Sequence, residues 1–388
     1  MTAGIFAGED ERVREFPVAA EGIFLAHAGV TVLPRRAADA VKRHAEASCT
    51  RHQEFGEVLR DVSRARAVAA AMVGAHADEV ALLGPTALGL SLFANGIDWE
   101  AGDEVVYYAD DYPSNVYPWT ALRRHGVVPK ALRPEVPGDI TVESVEAALA
   151  PGTKLVALAS CHFLSGRRID VDGIGRMLRA RGVLFSLDAI QTVGAAPLSV
   201  EHVDFLSADA HKWMLGPMAV GIVFVARRNF GVCRPTLLGA WNVKSPDFIA
   251  QEEIEFEPTA KRYEPGVLNV SGMYGMKASL ELIQEKGIGR VGDAILDVRD
   301  YLEDLLDGMG FEFLSPRKGD ARRSGILTAK HPGKESAGLF AQLEANGITA
   351  SLRSNRAGEK WLRFSPHFYN TRAEMERVAE VLKSAGVR

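Results

Sequence analysis

The chain has 388 residues, 47% of them hydrophobic, and its 45 lysines and arginines against 50 aspartates and glutamates leave a net charge of −5. That length supports two buried cores, and a pI near 6.1 argues against nucleic acid or an anionic membrane as the main partner. Three cysteines are too few for a disulfide framework, no apolar run nears membrane-spanning length, and Glu9-Asp10-Glu11 stand where a signal peptide would be apolar. A cytoplasmic enzyme is the expectation.

Residues 1–20 read as an N-terminal segment. Within Phe24 to Val30, followed by Leu33-Pro34, His27 reads by itself as part of a capped turn. The basic positions Arg35-Arg36, Lys42-Arg43 and Arg60 through Arg66 fall on helical patterns and are expected on solvated faces. A strand-like run at 80–83 meets a Gly84-Pro85 turn and then a helical pattern from Thr86-Ala87. The free N–H groups at such a helix start suit a phosphate, although Thr86 alone is an ordinary helix cap. Further strand-like runs recur at 104–108, 127–132, 154–160, 183–188, 203–207 and 220–225, with helical stretches between several of them. That rhythm implies a mostly parallel sheet covered by helices on both faces.

Two polar residues interrupt the apolar runs. Asp188 closes Val183–Leu187, which puts a carboxylate at a strand's carboxyl end, where open α/β sheets place ligands. Lys212 stands between Val203–Leu206 and the Val220–Val225 run. An ammonium there is costly unless paired, neutralised or covalently bound, and a desolvated lysine suits imine chemistry with a carbonyl.

Beyond an acidic, irregular stretch at 245–266, the string Gly287-x-Gly289-x-x-Gly292 imitates a dinucleotide fingerprint. That motif needs a strand before it, and here a helical pattern precedes it, so a helix–helix turn is expected with Gly287 as cap. Strand candidates follow at 311–314, 325–329 and 361–364, with a last helix from Thr371. The expected division is a large α/β domain over 21–266 and a smaller α+β domain over 267–388. No His or Cys spacing suggests a metal site.

The order Asp188, Gln191, Lys212, with its flanking strands, resembles the pyridoxal-phosphate enzymes of fold type I. More narrowly, it is similar to the class V aminotransferase and cysteine desulfurase superfamily, from about residue 21 to the C-terminus. The resemblance implies an aspartate-aminotransferase-like large domain and pyridoxal 5′-phosphate as cofactor, joined to Lys212 as a Schiff base. It places Asp188 at the pyridinium nitrogen and Gln191 near the ring hydroxyl, with Thr86 and Ala87 at the phosphate. Tyr112, in the run Asp110–Trp119, takes the ring-stacking position where desulfurases usually carry histidine. Asp209 holds a position that is often serine near the phosphate, and its carboxylate must turn to His211 or a backbone amide. Arg363 would grip the substrate α-carboxylate, with Arg353 the runner-up.

Two departures narrow the function. The stretch Ser351–Gly358 lacks the desulfurase loop cysteine, and Cys49, Cys161 and Cys233 lie elsewhere, each expected as a small buried or half-buried residue. Val267 replaces a threonine that in many relatives reaches a phosphate across the dimer interface. The expected activity is therefore aminotransferase-type chemistry on an α-amino acid or small amine through the Cα carbanion. A C–S or β-lyase is second, an epimerase third, and a non-enzymatic binding member of the fold last. The resemblance also implies a homodimer with sites at the interface.

Overall fold

The computed structural model describes residues 5–53, 56–266 and 268–387, so Val267 lies outside the described residues. The chain forms β1 (Ile23–Phe24), β2 (Val80–Ala81), β3 (Glu104–Tyr108), β4 (Val128–Leu132), β5 (Thr153–Ala159), β6 (Leu184–Asp188), β7 (Phe205–Asp209) and β8 (Gly221–Val225). The small-domain strands are β9 (Glu312–Phe313), β10 (Leu327–Lys330), β11 (Ile348–Thr349), β12 (Ser351–Ser354) and β13 (Lys360–Phe364). All seven strand runs expected in the large domain are present.

Seven strands make one sheet in the order β2-β8-β7-β6-β5-β3-β4, and only β8 runs against the rest. Side-chain alternation splits its residues between two buried layers. Val106, Tyr108, Val156, Leu158, Phe185 and Leu187 face one apolar cluster, and Val105, Tyr107, Leu155, Ala157 and Phe205 face another. The helix Thr86–Gly96 covers the second layer with Leu90 and Phe93. The helices Glu57–Ala71 and Val171–Ala180 cover the first.

The third core lies under β9, β10, β12 and β13, an antiparallel sheet in the order β12-β13-β10-β9. Packing crosses the expected division at 266 in both directions. Val270–Lys286 sends Met273, Met276, Leu280 and Ile283 into a large-domain cluster. The following helix, Ile288–Asp307, gives Val291 and Ile295 to that cluster but Val298, Leu302 and Leu306 to the small-domain core. In return β1 pairs in parallel with β11. Gly287, at φ +83°, joins the two helices, as the helix–helix reading required.

One basic position departs from expectation. Arg66 is buried, not solvated: it donates to the Val80 carbonyl and pairs in bidentate fashion with buried Glu264, whose Oε1 also accepts from Leu82 N–H. The sequence hid this because the partner lies 198 positions away. Removing one half of a buried ion pair strands the other charge, so Glu264→Ala is expected to cost about 3 kcal/mol or more. A denaturant midpoint that stays at the wild-type value would refute it.

Candidate active site

The carboxyl ends of the parallel strands converge on one cavity of about 430 Å³. Nine of the ten site residues expected from sequence line it: Thr86, Ala87, Tyr112, Asp188, Gln191, His211, Lys212, Arg353 and Arg363. The tenth, Asp209, does not. It ends β7 buried, its amide donates to Thr86 Oγ1 at 2.9 Å, and its Oδ1 lies 3.0 Å from His211 Nδ1. The carboxylate has turned to the histidine, the arrangement that spares a phosphate its repulsion.

Asp188 is where it is because β6 is the central strand, flanked in register by Ala159 and Ser207. Its Oδ1 accepts from Ile190 N–H at 3.1 Å. Burial pushes its pKa up to about 6, against the pull of the Lys212 ammonium. Lys212 follows β7 in the connection to β8, a turn closed by the Leu215 N–H to Lys212 carbonyl bond at 3.1 Å. Burial lowers its pKa to about 8, with Asp188 opposing and Arg363 and Arg353 assisting. Its Nζ lies 5.4 Å from the centre of the Tyr112 ring, which is itself half exposed and meets Phe163 edge-on. Thr86 and Ala87 open the helix Thr86–Gly96, so the first N–H groups of that helix meet the cavity.

Arg363 is the most telling side chain. It is 1% exposed on β13, and Nη1 donates to the Phe163 carbonyl at 2.7 Å. Its Nε and Nη2 are buried without a hydrogen-bond partner. Burial, reinforced by Arg353, drives its pKa down to about 9. Among the described residues no carboxylate pairs with either arginine. A Cβ on Gly29 would lie 3.6 Å from Arg353 Nη2 and 3.7 Å from Arg363 Nη2, so both guanidinium groups come up to the Gly29 backbone.

Residues 23–378 match the family model of the class V aminotransferases. The chain belongs to that family. It is a pyridoxal-phosphate-dependent enzyme with the fold type I architecture. A probable cysteine desulfurase of Methanothermobacter thermautotrophicus is 24% identical over 98% of both chains. A kynureninase of Geobacillus thermodenitrificans is 29% identical over 82% of this chain and 76% of its own. Among solved structures, a cysteine desulfurase from Thermococcus onnurineus NA1 superimposes with a TM-score of 0.90 at 20% identity, covering 98% of each chain.

The side chains of this class V enzyme fit its cofactor. A strand-end carboxylate, a desolvated lysine, a helix N-terminus and an aromatic ring border one cavity, each suited to a different part of pyridoxal phosphate.

Sequence reasoning missed three neighbours. Asp111 is buried and accepts from Tyr112 N–H, Asn115 Nδ2 and Ala159 N–H, so it holds the Tyr112 turn against the end of β5. Its pKa rises to about 7 through burial and then the Asp188 charge. Phe163 backs Tyr112 and lends its carbonyl to Arg363. Arg356, at the turn of the β12–β13 hairpin, pairs with Asp110 and donates to the Ala109 carbonyl at 2.7 Å. Only the paired acids of Asp110-Asp111 were a visible signal. The stretch Ser351–Gly358, where desulfurases keep a cysteine loop, is the strand β12 and a short turn. Cys161 and Cys233 are buried as expected, whereas Cys49 is exposed. His27 is buried outside the cavity, bonded to the Ser365 carbonyl at 2.8 Å and Tyr369 Oη at 3.1 Å.

The two carboxylates give a pH signature. Folded Asp188 and Asp111 keep protons that the unfolded chain has lost, so their contribution to stability is full below about pH 4 and fades as pH rises through 6 to 7. The cofactor-free protein should thus melt lower at pH 7 than at pH 5 on their account. Asp188→Asn, which keeps the acceptor for Ile190, should narrow that gap. A gap of the same width in the variant would count against the assignment.

Proposed function

We propose that this enzyme performs aminotransferase-type chemistry on a free α-amino acid. The observation that carries the reading is Arg363, a buried guanidinium with two partnerless nitrogens in the cavity that holds Lys212. Such a fork matches a carboxylate, and a substrate seated there offers its amino group and Cα to the lysine side of the site.

Pyridoxal phosphate, when bound, supplies a carbonyl that condenses with amines and a protonated pyridine that takes up the electron pair left at Cα. Asp188 is the carboxylate that holds the ring nitrogen's proton. The Lys212 amine, with its pKa near 8, is available to take and return the Cα proton close to neutral pH. Thr86 and Ala87 offer backbone N–H groups to the phosphate, and Tyr112 screens the cavity from solvent on one side. Arg353 is a second cation toward the substrate's carboxyl end.

Elimination from a sulfur amino acid is the second reading. A probable desulfurase matches along nearly the whole chain, yet the hairpin carries no thiol to receive sulfur and the other cysteines are outside the cavity lining. Elimination is the sulfur chemistry that needs no such thiol.

The deciding experiment follows the visible absorption of the purified holoenzyme on addition of single amino acids, cysteine and cystine included. Transamination predicts a change that reverses only when a keto acid is supplied. Spontaneous recovery while keto acid accumulates would replace it with elimination, and no change with any amine would leave a binding protein.

We further propose a homodimer and a domain division near residue 266. A stable monomer that retains the cofactor in light scattering would exclude the dimer. Limited proteolysis that spares the 245–270 region while cutting within either unit would argue against the division.

A further inference from the structure

The amide of Gln191 meets two groups that each have only one hydrogen-bonding role. Trp213 Nε1, which only donates, bonds Gln191 Oε1 at 2.8 Å, and the Ala28 carbonyl, which only accepts, takes Gln191 Nε2 at 3.1 Å. The orientation of the amide follows without ambiguity. Its oxygen is engaged by the indole, one N–H is engaged by Ala28, and the remaining N–H belongs to a side chain that lines the cavity.

The indole is itself immobilised. Trp213 is wholly buried against the His27 and His367 rings, at centroid distances of 6.4 and 5.6 Å. His367 accepts from Phe368 N–H at Nδ1, so its Nε2 carries the proton given to the Trp213 carbonyl at 3.0 Å. Position 325 must be glycine for the indole to fit, since a Cβ there would stand 2.6 Å from Cη2.

We propose that Trp213 is a positioning residue: it fixes the Gln191 amide so that the site offers the cofactor's ring oxygen a donor and never an acceptor. The proposal rests on the reading that Gln191 faces that oxygen. A fixed donor stabilises the oxygen in its anionic form and so lowers the pH at which the lysine-linked cofactor loses its proton. Without the indole N–H, Oε1 loses its partner and the amide is free to turn.

The test is a pH titration of the visible absorption band of the holoenzyme without substrate. Gln191→Leu is expected to raise the midpoint by about one pH unit, a tenfold change in proton affinity. Trp213→Phe should raise it by at least half as much, and Trp213→Phe in the Gln191→Leu background should add nothing further. An unmoved midpoint in Trp213→Phe, or additive shifts in the double variant, would overturn the proposal. An unmoved midpoint in Gln191→Leu would instead remove the reading beneath it. Should Trp213→Phe fail to fold, benzothienylalanine at position 213 keeps the bicyclic shape without the N–H, and the same criteria apply.

Discussion

Lys212→Ala, purified with excess pyridoxal phosphate, is expected to show no absorption from a lysine-linked cofactor and to lose about 10⁴-fold in turnover. Proton transfer by a positioned side chain contributes on the order of 10² to 10⁴, and the loss of a covalent attachment adds to it. Among the described residues Lys212 is the only lysine lining the cavity, and burial has already shifted its amine toward the neutral form. Borohydride reduction followed by peptide mass spectrometry should find the cofactor on the peptide that contains Lys212 in the wild type and on no peptide in the variant. A variant that keeps the band would show that another lysine serves. Folding should survive the change, because it removes a buried ammonium from a site that also holds Arg363. The circular dichroism of the variant checks that point.

Arg363 carries the second large effect, with opposite consequences for activity and stability. Truncating one partner of a buried charge-assisted pair costs about 2 to 5 kcal/mol of binding. Arg363→Ala should therefore lower kcat/KM by about 10² to 10³, mostly through KM. Arg363→Lys should recover little, since a point charge does not reproduce the two-pronged donor. The same substitution removes a buried cation with two unsatisfied nitrogens, a group that costs the folded protein free energy when no substrate is bound. The melting temperature of Arg363→Ala should consequently be no lower than that of the wild type. A large fall in both activity and melting temperature would make Arg363 a structural cation held by Phe163, and the carboxylate reading would go with it.

These effects place the cost of function at a few positions. Lys212, Asp188, Asp111 and Arg363 are all buried with pKa values displaced by desolvation, and all but Asp111 line the cavity. A protein selected for stability alone would gain by replacing them with apolar groups. Their concentration at the carboxyl ends of β3, β6 and β7 and on β13 marks where the fold gives up stability for chemistry.

Much of this was legible in the order of residues. Mostly apolar runs of four to seven residues marked the strands of the large sheet, because strands covered on both faces need little polar alternation. Asp188 and Lys212 were visible for the same reason: each is a charge set beside mostly apolar runs. Gly287 was separable from a dinucleotide motif because the helical spacing before it is a local property. Local pattern also gave the start of the last helix at Thr371, where Thr371 and Glu374 form a reciprocal capping box.

What the chain order could not express was pairing over distance. Arg66 looked like one more basic residue on a helix until Glu264 arrived from the far side of the domain. The short strands β1, β11 and β12 were invisible because two to four residues carry no period, and only their partners define them. Asp209 was placed beside the cavity by position with His211 or a backbone amide as the expected partner, and which of the two its carboxylate meets is a choice of rotamer that no motif records. The sequence by itself determined the layered α/β architecture through local hydrophobic pattern, and its resemblance to a known family implied the cofactor class and pointed to Lys212. The tertiary structure alone decided that Arg363 is unpaired, that Trp213 fixes the Gln191 amide and that the two cores share one helix, because each depends on which groups desolvate one another across the fold.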